Sequence, residues 1–248
     1  MKKLSPTSLM HYIKLALRTA AFTAALLLYI CKDIWRHISF TLGEHLPIFI
    51  WIIWIWFVIE IILRFFPANI ESMGCQKQFS KNYIPIEDGK PNGENRGVFL
   101  SAGAWVLLNG CIGVLYFSGI IDKGILLLIS LFYAVCDMVC ILFFCPFQTW
   151  FMKNKCCTTC RIYNWDYAMM FTPLIFIKSF YTWSLLGLGI LLLVEWEVLH
   201  ARYPERFSEG CNRNLACAAC KERLCAHKTQ LREFQKKLRI SRKTEERG

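Results

Sequence analysis

Four stretches of this chain are too long and too apolar to be covered by the rest of it. Residues 46–66, 98–121, 125–145 and 168–194 each run for twenty or more positions with two charges or fewer. A helix rises 1.5 Å per residue, so about 20 apolar residues cross the ~30 Å hydrocarbon core of a bilayer. In lipid every backbone polar group must find an internal partner, which leaves helices as the spanning element for runs of this length. The pattern predicts an all-α polytopic membrane protein with four transmembrane helices. The first run carries Trp51, Trp54 and Trp56, with Pro47 at its start, where a helix tolerates proline.

The flanks divide the chain further. Residues 1–45 hold only a short apolar core, Ala20 to Cys31, bracketed by Lys14, Arg18, Lys32 and Arg36. That core is short for a span, so 8–38 is expected to be an interfacial amphipathic helix with its basic flank at the headgroups. A short tilted span is the alternative. No small-residue cleavage site follows it, so a cleaved leader is not expected. Residues 46–195 form the four-helix transmembrane domain, and 196–248 a cysteine-rich basic tail. Between the spans lie a polar loop at 67–97 containing IPIEDGKPNGENRG, a tight hairpin at Asp122-Lys123-Gly124, and a loop at 146–167.

The net charge is +11. With four spans, the segments 1–45, 122–124 and 196–248 share one side and hold twenty Lys and Arg, against seven in 67–97 and 146–167. Basic residues favour the cytoplasmic side, so this count predicts a multi-pass protein of the cell (inner) membrane with both termini in the cytoplasm. Cys75 and the CCTTC cluster then face outward. No soluble module with a basic face and readout residues exists, which argues against nucleic acid as a partner. The bilayer is the partner expected, with a cytoplasmic protein docking on the tail as a further one.

Thirteen cysteines are the chemistry-bearing feature. In CPFQTWFMKNKCCTTC, Cys156, Cys157 and Cys160 lie beside Lys153, Lys155 and Arg161. Cationic neighbours lower a thiol's pKa and favour the reactive thiolate. The spacing predicts a reversible Cys157–Cys160 pair, with Cys156 or Cys157 attacking and Cys75 shuttling to it. Cys156 can also bond Cys75 or Cys145. A structural disulfide is the plain alternative. In the tail, Cys211, Cys217, Cys220 and Cys225 are spaced C-x5-C-x2-C-x4-C, with His227 beyond. Four thiolates this close satisfy the count for zinc or an iron–sulfur cluster. Redox-sensing thiols would use the same residues.

Polar groups also sit inside the apolar runs. Glu60 and Arg64 are one turn apart and are expected to pair. Asp137, Lys178 and Asn109 fall at similar depth, and an Asp137–Lys178 interhelical pair is expected, because charges in the bilayer face the bundle interior and find partners. They would either glue the bundle or line a polar cavity, beneath the cysteine loop, that binds a small molecule.

The layout of four spans with outward cysteines resembles, in topology alone, the disulfide-generating quinone reductases of bacterial membranes. That resemblance implies thiol redox or electron transfer with a quinone. Unlike them, this chain has no CxxC at the mouth of a span and carries a four-cysteine tail. Two rival expectations are a non-enzymatic membrane subunit whose zinc-folded tail docks a partner, and a small-solute transporter using the Asp137/Lys178 cavity. No P-loop, dinucleotide turn, HExxH or GxSxG motif occurs.

Overall fold

The computed structural model describes residues 6–31, 45–67, 73–87, 89–90, 96–152 and 159–216. Cys156, Cys157, Cys217, Cys220, Cys225 and His227 lie outside the described residues, as does the side chain of Cys75. Among the described residues every regular element is a helix: α1 (Pro6–Ile30), α2 (His45–Phe65), α3 (Met73–Gln78), α4 (Arg96–Phe117), α5 (Lys123–Leu142), α6 (Asp166–Phe171) and α7 (Phe180–Arg202), with short 3-10 and π turns between them. An isolated β bridge joins Pro85 and Asn212. Among the described residues four helices are long and apolar enough to cross a membrane, namely α1 from Ser8, α4, α5 and α7. The 21-residue α2, whose only Asp, Glu, Lys or Arg residues are Glu60 and Arg64, packs beside them.

Polarity is arranged inside out. Phe99 and Leu107 of α4 are 74% and 71% exposed, whereas Arg18 and Arg64 are 1% and 2% exposed. A bundle with apolar outer faces and charges in its interior is built for lipid, where apolar surface needs no cover and charge does.

α1 does not behave as the interfacial helix expected of 8–38. It lies lengthwise against α5 and antiparallel to it, with Tyr12 against Phe143, Phe22 against Phe132, and the Tyr29 hydroxyl donating to Asp122 at 3.1 Å. A helix lying flat in the headgroup plane could not follow a neighbouring span from end to end. Asp122 also caps α5 by accepting from the Ile125 amide at 2.9 Å. The α4–α5 hairpin closes through Gly119 at φ +75°, a left-handed residue where a side chain would be strained.

The stretch expected to be a single span at 168–194 is broken in two. A 3-10 turn (Arg161–Trp165), α6 and a second 3-10 turn (Thr172–Phe176) run down through the bundle in series. Asp166 pairs with Arg64, Phe171 packs on Phe57, Trp105 donates to Thr172, and Phe176 reaches Tyr116 and Phe117 at the far end of α4. Together these turns are roughly 29 Å long at ~2.0 Å per 3-10 residue and ~1.5 Å per α residue, one bilayer core in length. Pro173 explains why the piece is not one α-helix: it has no N–H to give the ladder. The chain turns at Ile177–Ser179, where the Thr182 hydroxyl donates to the carbonyls of Ile177 and Ser179, and α7 climbs back.

That extra passage moves the tail. The bundle has a hairpin end, with Gly119 and Ile177–Ser179, and a cysteine end, with segments 76–87, 143–152 and 159–165. The start of the tail, 203–216, packs onto loop 73–90 at the cysteine end. Arg213 and Ile86 donate backbone bonds to Ile84 and Cys211, and Arg206 Nε donates to the Gln78 carbonyl at 2.9 Å. The expectation that loop and tail lie on opposite sides is therefore corrected. An uninterrupted apolar run hid a reversal of direction.

Candidate thiol and ion-pair site

The polar interior begins with three residues of α1. His11, Lys14 and Arg18 recur every three or four positions, so they form one stripe on a helix that is otherwise apolar. The stripe faces α2 and α5. Arg18 bridges both: one guanidinium nitrogen donates to Glu60 Oε2 at 2.8 Å, and the other to Asp137 Oδ2 at 2.8 Å and to the Ala134 carbonyl at 3.0 Å. Lys14 Nζ sits 3.1 Å from Glu60 Oε1, and the Tyr167 hydroxyl donates to Glu60 Oε2 at 3.2 Å. One turn below Glu60 on α2, Arg64 makes a forked contact to Asp166, at 2.7 and 3.3 Å. The Tyr167 ring lies 6.0 Å from the Arg18 guanidinium and 4.9 Å from that of Arg64. Three cations thus meet three carboxylates, which is how a low-dielectric interior tolerates them.

The expected pairings are corrected in detail. Glu60 pairs with Lys14 and Arg18, and Arg64 with Asp166, although Glu60 and Arg64 are one turn apart. Asp137 pairs with Arg18, and Lys178 is exposed at the hairpin end. A lysine between two helical segments at the bundle's end reaches solvent or headgroups more cheaply than a carboxylate held inside the bundle. Asn109 is buried and spends its Nδ2 on the Trp105 carbonyl of its own helix, at 3.0 Å.

Against this network lies a cavity of about 130 Å³. Asp137 and Asp166 line it, and so do the thiols of Cys136, Cys140, Cys145 and Cys160. Cys136 and Cys140 project from one face of α5, a turn apart. After Leu142 the α-helix ends, and Cys145-Pro146 opens a π-helical turn, Phe147–Met152. That turn folds the Cys145 sulfur back, where it accepts from the Gln148 amide at 3.4 Å and is hydrogen-bonded to Cys140. Cys160 precedes the 3-10 turn Arg161–Trp165 and is buried beside Ile162 and Met152. The side wall is fastened by Arg161 and Trp165 to Glu197 of α7, the Trp165 indole donating at 2.8 Å.

Of the expected thiol site, only Cys160 falls among residues whose side chains are described; Cys156, Cys157 and the side chain of Cys75 lie outside them. Cys160 lines the cavity, and among the described residues Cys136, Cys140 and Cys145 line it too. Cys211 is buried in the tail lobe, where its carbonyl holds the Ile86 amide. Asp137 lines the cavity as expected of a polar cavity beneath the cysteine loop; Lys178 and Asn109 do not. From sequence Arg18 reads as a headgroup flank and Asp166 as a loop residue; the His11–Lys14–Arg18 spacing is the signal that marks the first as part of an interior stripe. Among the described residues no three His, Cys, Asp or Glu side chains converge to hold a metal ion.

Comparison with known proteins adds no identity. No protein family, curated protein or solved structure matches this chain.

Proposed function

We propose that this is a multi-pass membrane protein carrying out thiol–disulfide chemistry at the cytoplasmic end of its bundle, with Cys140 and Cys145 as the reactive pair. The carrying observation is that these two thiols are in hydrogen-bond contact at a cavity that two further thiols and two carboxylates also line. The orientation rests on charge. Lys77, Lys81, Lys90, Arg96, Arg161, Arg202, Arg206 and Arg213 lie at the cysteine end, against Lys123 and Lys178 at the hairpin end. Basic flanks favour the cytoplasmic side, so the thiols stand in a reducing compartment, where a disulfide is transient and catalytic rather than a permanent staple.

The step balances as an exchange. Cys145, whose sulfur already accepts an amide hydrogen bond and lies next to the loop, attacks one sulfur of a substrate disulfide and releases the other as a thiolate. Cys140 then attacks Cys145 in that mixed disulfide. The products are a Cys140–Cys145 disulfide and a substrate dithiol, which takes up the two protons the pair loses. A membrane quinone is the alternative two-electron, two-proton acceptor, and would leave as quinol. The zinc or iron–sulfur site at Cys211, Cys217, Cys220 and Cys225 belongs to the second reading, a non-enzymatic subunit with a partner-docking tail. It draws on the lobe that seats 203–216 on loop 73–90.

Membranes equilibrated in a series of glutathione redox buffers, then alkylated and analysed by mass spectrometry, test the first reading. Cys140 and Cys145 should lose their labels together with one midpoint, and Cys140→Ser should trap a mixed disulfide at Cys145. Full alkylation of both in the most oxidising buffer would sink the redox reading.

A further inference from the structure

The cavity is lined by sulfur to a degree that disulfide exchange does not require. Besides the thiols of Cys136, Cys140, Cys145 and Cys160, it is lined by Met169 and Met170. Exchange needs two sulfurs; the other four add soft, polarisable donors around a buried space. Thiolate and thioether ligands select soft ions, Cu(I) foremost, over the hard cations that carboxylates and water suit. Zinc prefers four ligands in a tetrahedron, and no three metal-ligating side chains converge here. What the geometry does offer is one pair of thiols already in contact, Cys140 and Cys145. A two-coordinate ion needs no more than that.

We propose that Cys140 and Cys145 form a binding site for a monovalent soft metal ion, Cu(I) being its physiological representative, with Cys136 and the two methionines as the surrounding sulfur shell. Binding exchanges two thiol protons for the metal, giving a bis-thiolate of charge −1 and releasing two protons, with no change in oxidation state. The anion forms beside a network that already places Arg18 and Arg64 at the two cavity carboxylates, Asp137 and Asp166. Copper binding and disulfide exchange stand or fall separately. The first requires only the reduced pair, and the second requires a measurable disulfide.

The test is a Cu(I) titration of the full-length protein in detergent, under strict anaerobiosis and excess reductant, with bicinchoninate as the competing chromophoric chelator. The tail and loop cysteines are further candidate copper ligands, so the readout is a difference. The Cys140→Ser/Cys145→Ser variant should hold one fewer tightly bound Cu(I) than the wild type, and Cys111→Ser should hold the same number. In a second arm, Cys75, Cys156, Cys157, Cys217, Cys220 and Cys225 are replaced by serine. That protein should bind one Cu(I), with sulfur-only X-ray absorption at the metal edge. Thermal melting and gel filtration of each variant confirm that it is folded. Equal copper content in the wild type and a folded Cys140→Ser/Cys145→Ser variant would overturn the site. So would a folded serine-background protein that binds none.

Discussion

Replacing Arg18 with methionine removes the group on which the buried network turns while keeping most of the side chain's apolar volume. Two carboxylates lose a partner. Asp137 loses its 2.8 Å contact to Arg18, and Glu60 keeps only Lys14 and the Tyr167 hydroxyl. Removing one member of a buried pair typically costs ~3–5 kcal/mol, because the other charge is stranded. Arg18 serves two carboxylates and the Ala134 carbonyl, so Arg18→Met should fall in the upper half of that range. Asp137→Asn in the same background should return roughly 1–3 kcal/mol as the stranded charge is removed. The assay is reversible unfolding in mixed micelles titrated with denaturing detergent, followed by tryptophan fluorescence. A loss below about 1 kcal/mol, or two losses that simply add, would refute the network as a stabilising unit.

Four further outcomes follow from the packing. Lys178→Met should change stability by less than ~0.5 kcal/mol in the same assay, as for a surface position, whereas a large loss would revive the pairing with Asp137. Gly189→Leu should destabilise by about 1–3 kcal/mol, since even a Cβ there would meet the Tyr167–Ala168 backbone at 3.1 Å. Gly187→Ala, with nothing within 4 Å, should be neutral or gain up to ~1 kcal/mol of helix propensity. Asn212→Ala should loosen the tail lobe, because its Nδ2 donates to the Lys77 and Arg206 carbonyls and its Oδ1 accepts from the Asn214 amide. Leaving those buried groups unmet costs ~1–3 kcal/mol each, and amide exchange at Ile86 and Arg213, whose backbone donors hold the lobe, should rise while α5 stays protected.

Helices were legible wherever an apolar run continued without interruption, as at α2, α4 and α5. What the sequence concealed is how they connect. The run at 168–194 reads as one span because its break satisfies its own backbone: Thr182 takes the carbonyls of Ile177 and Ser179 internally, so no polar cluster marks the turn. Only Pro173 and Lys178 hinted at it. α1 misled for the opposite reason. Lys14 and Arg18 look like a headgroup flank until Glu60 and Asp137, 42 and 119 residues away from Arg18, are brought beside them. The cavity thiols were visible as residues but not as a set. Cys140 lies in the last turns of α5 and Cys145 beyond its end, so no helical spacing marks them as one set.

The proposed thiol–disulfide function requires loop 73–90 and the tail to share one side of the membrane, and that side to be the cytoplasm. Short epitopes inserted after Glu87, after Gly119 and after Gly248, probed with antibody on intact and on permeabilised cells, test it directly. The Glu87 and Gly248 epitopes should be detected only after permeabilisation, and the Gly119 epitope on intact cells. Detection of the Glu87 and Gly248 epitopes from opposite sides would contradict the fold, and detection of both on intact cells would contradict the cytoplasmic thiol site.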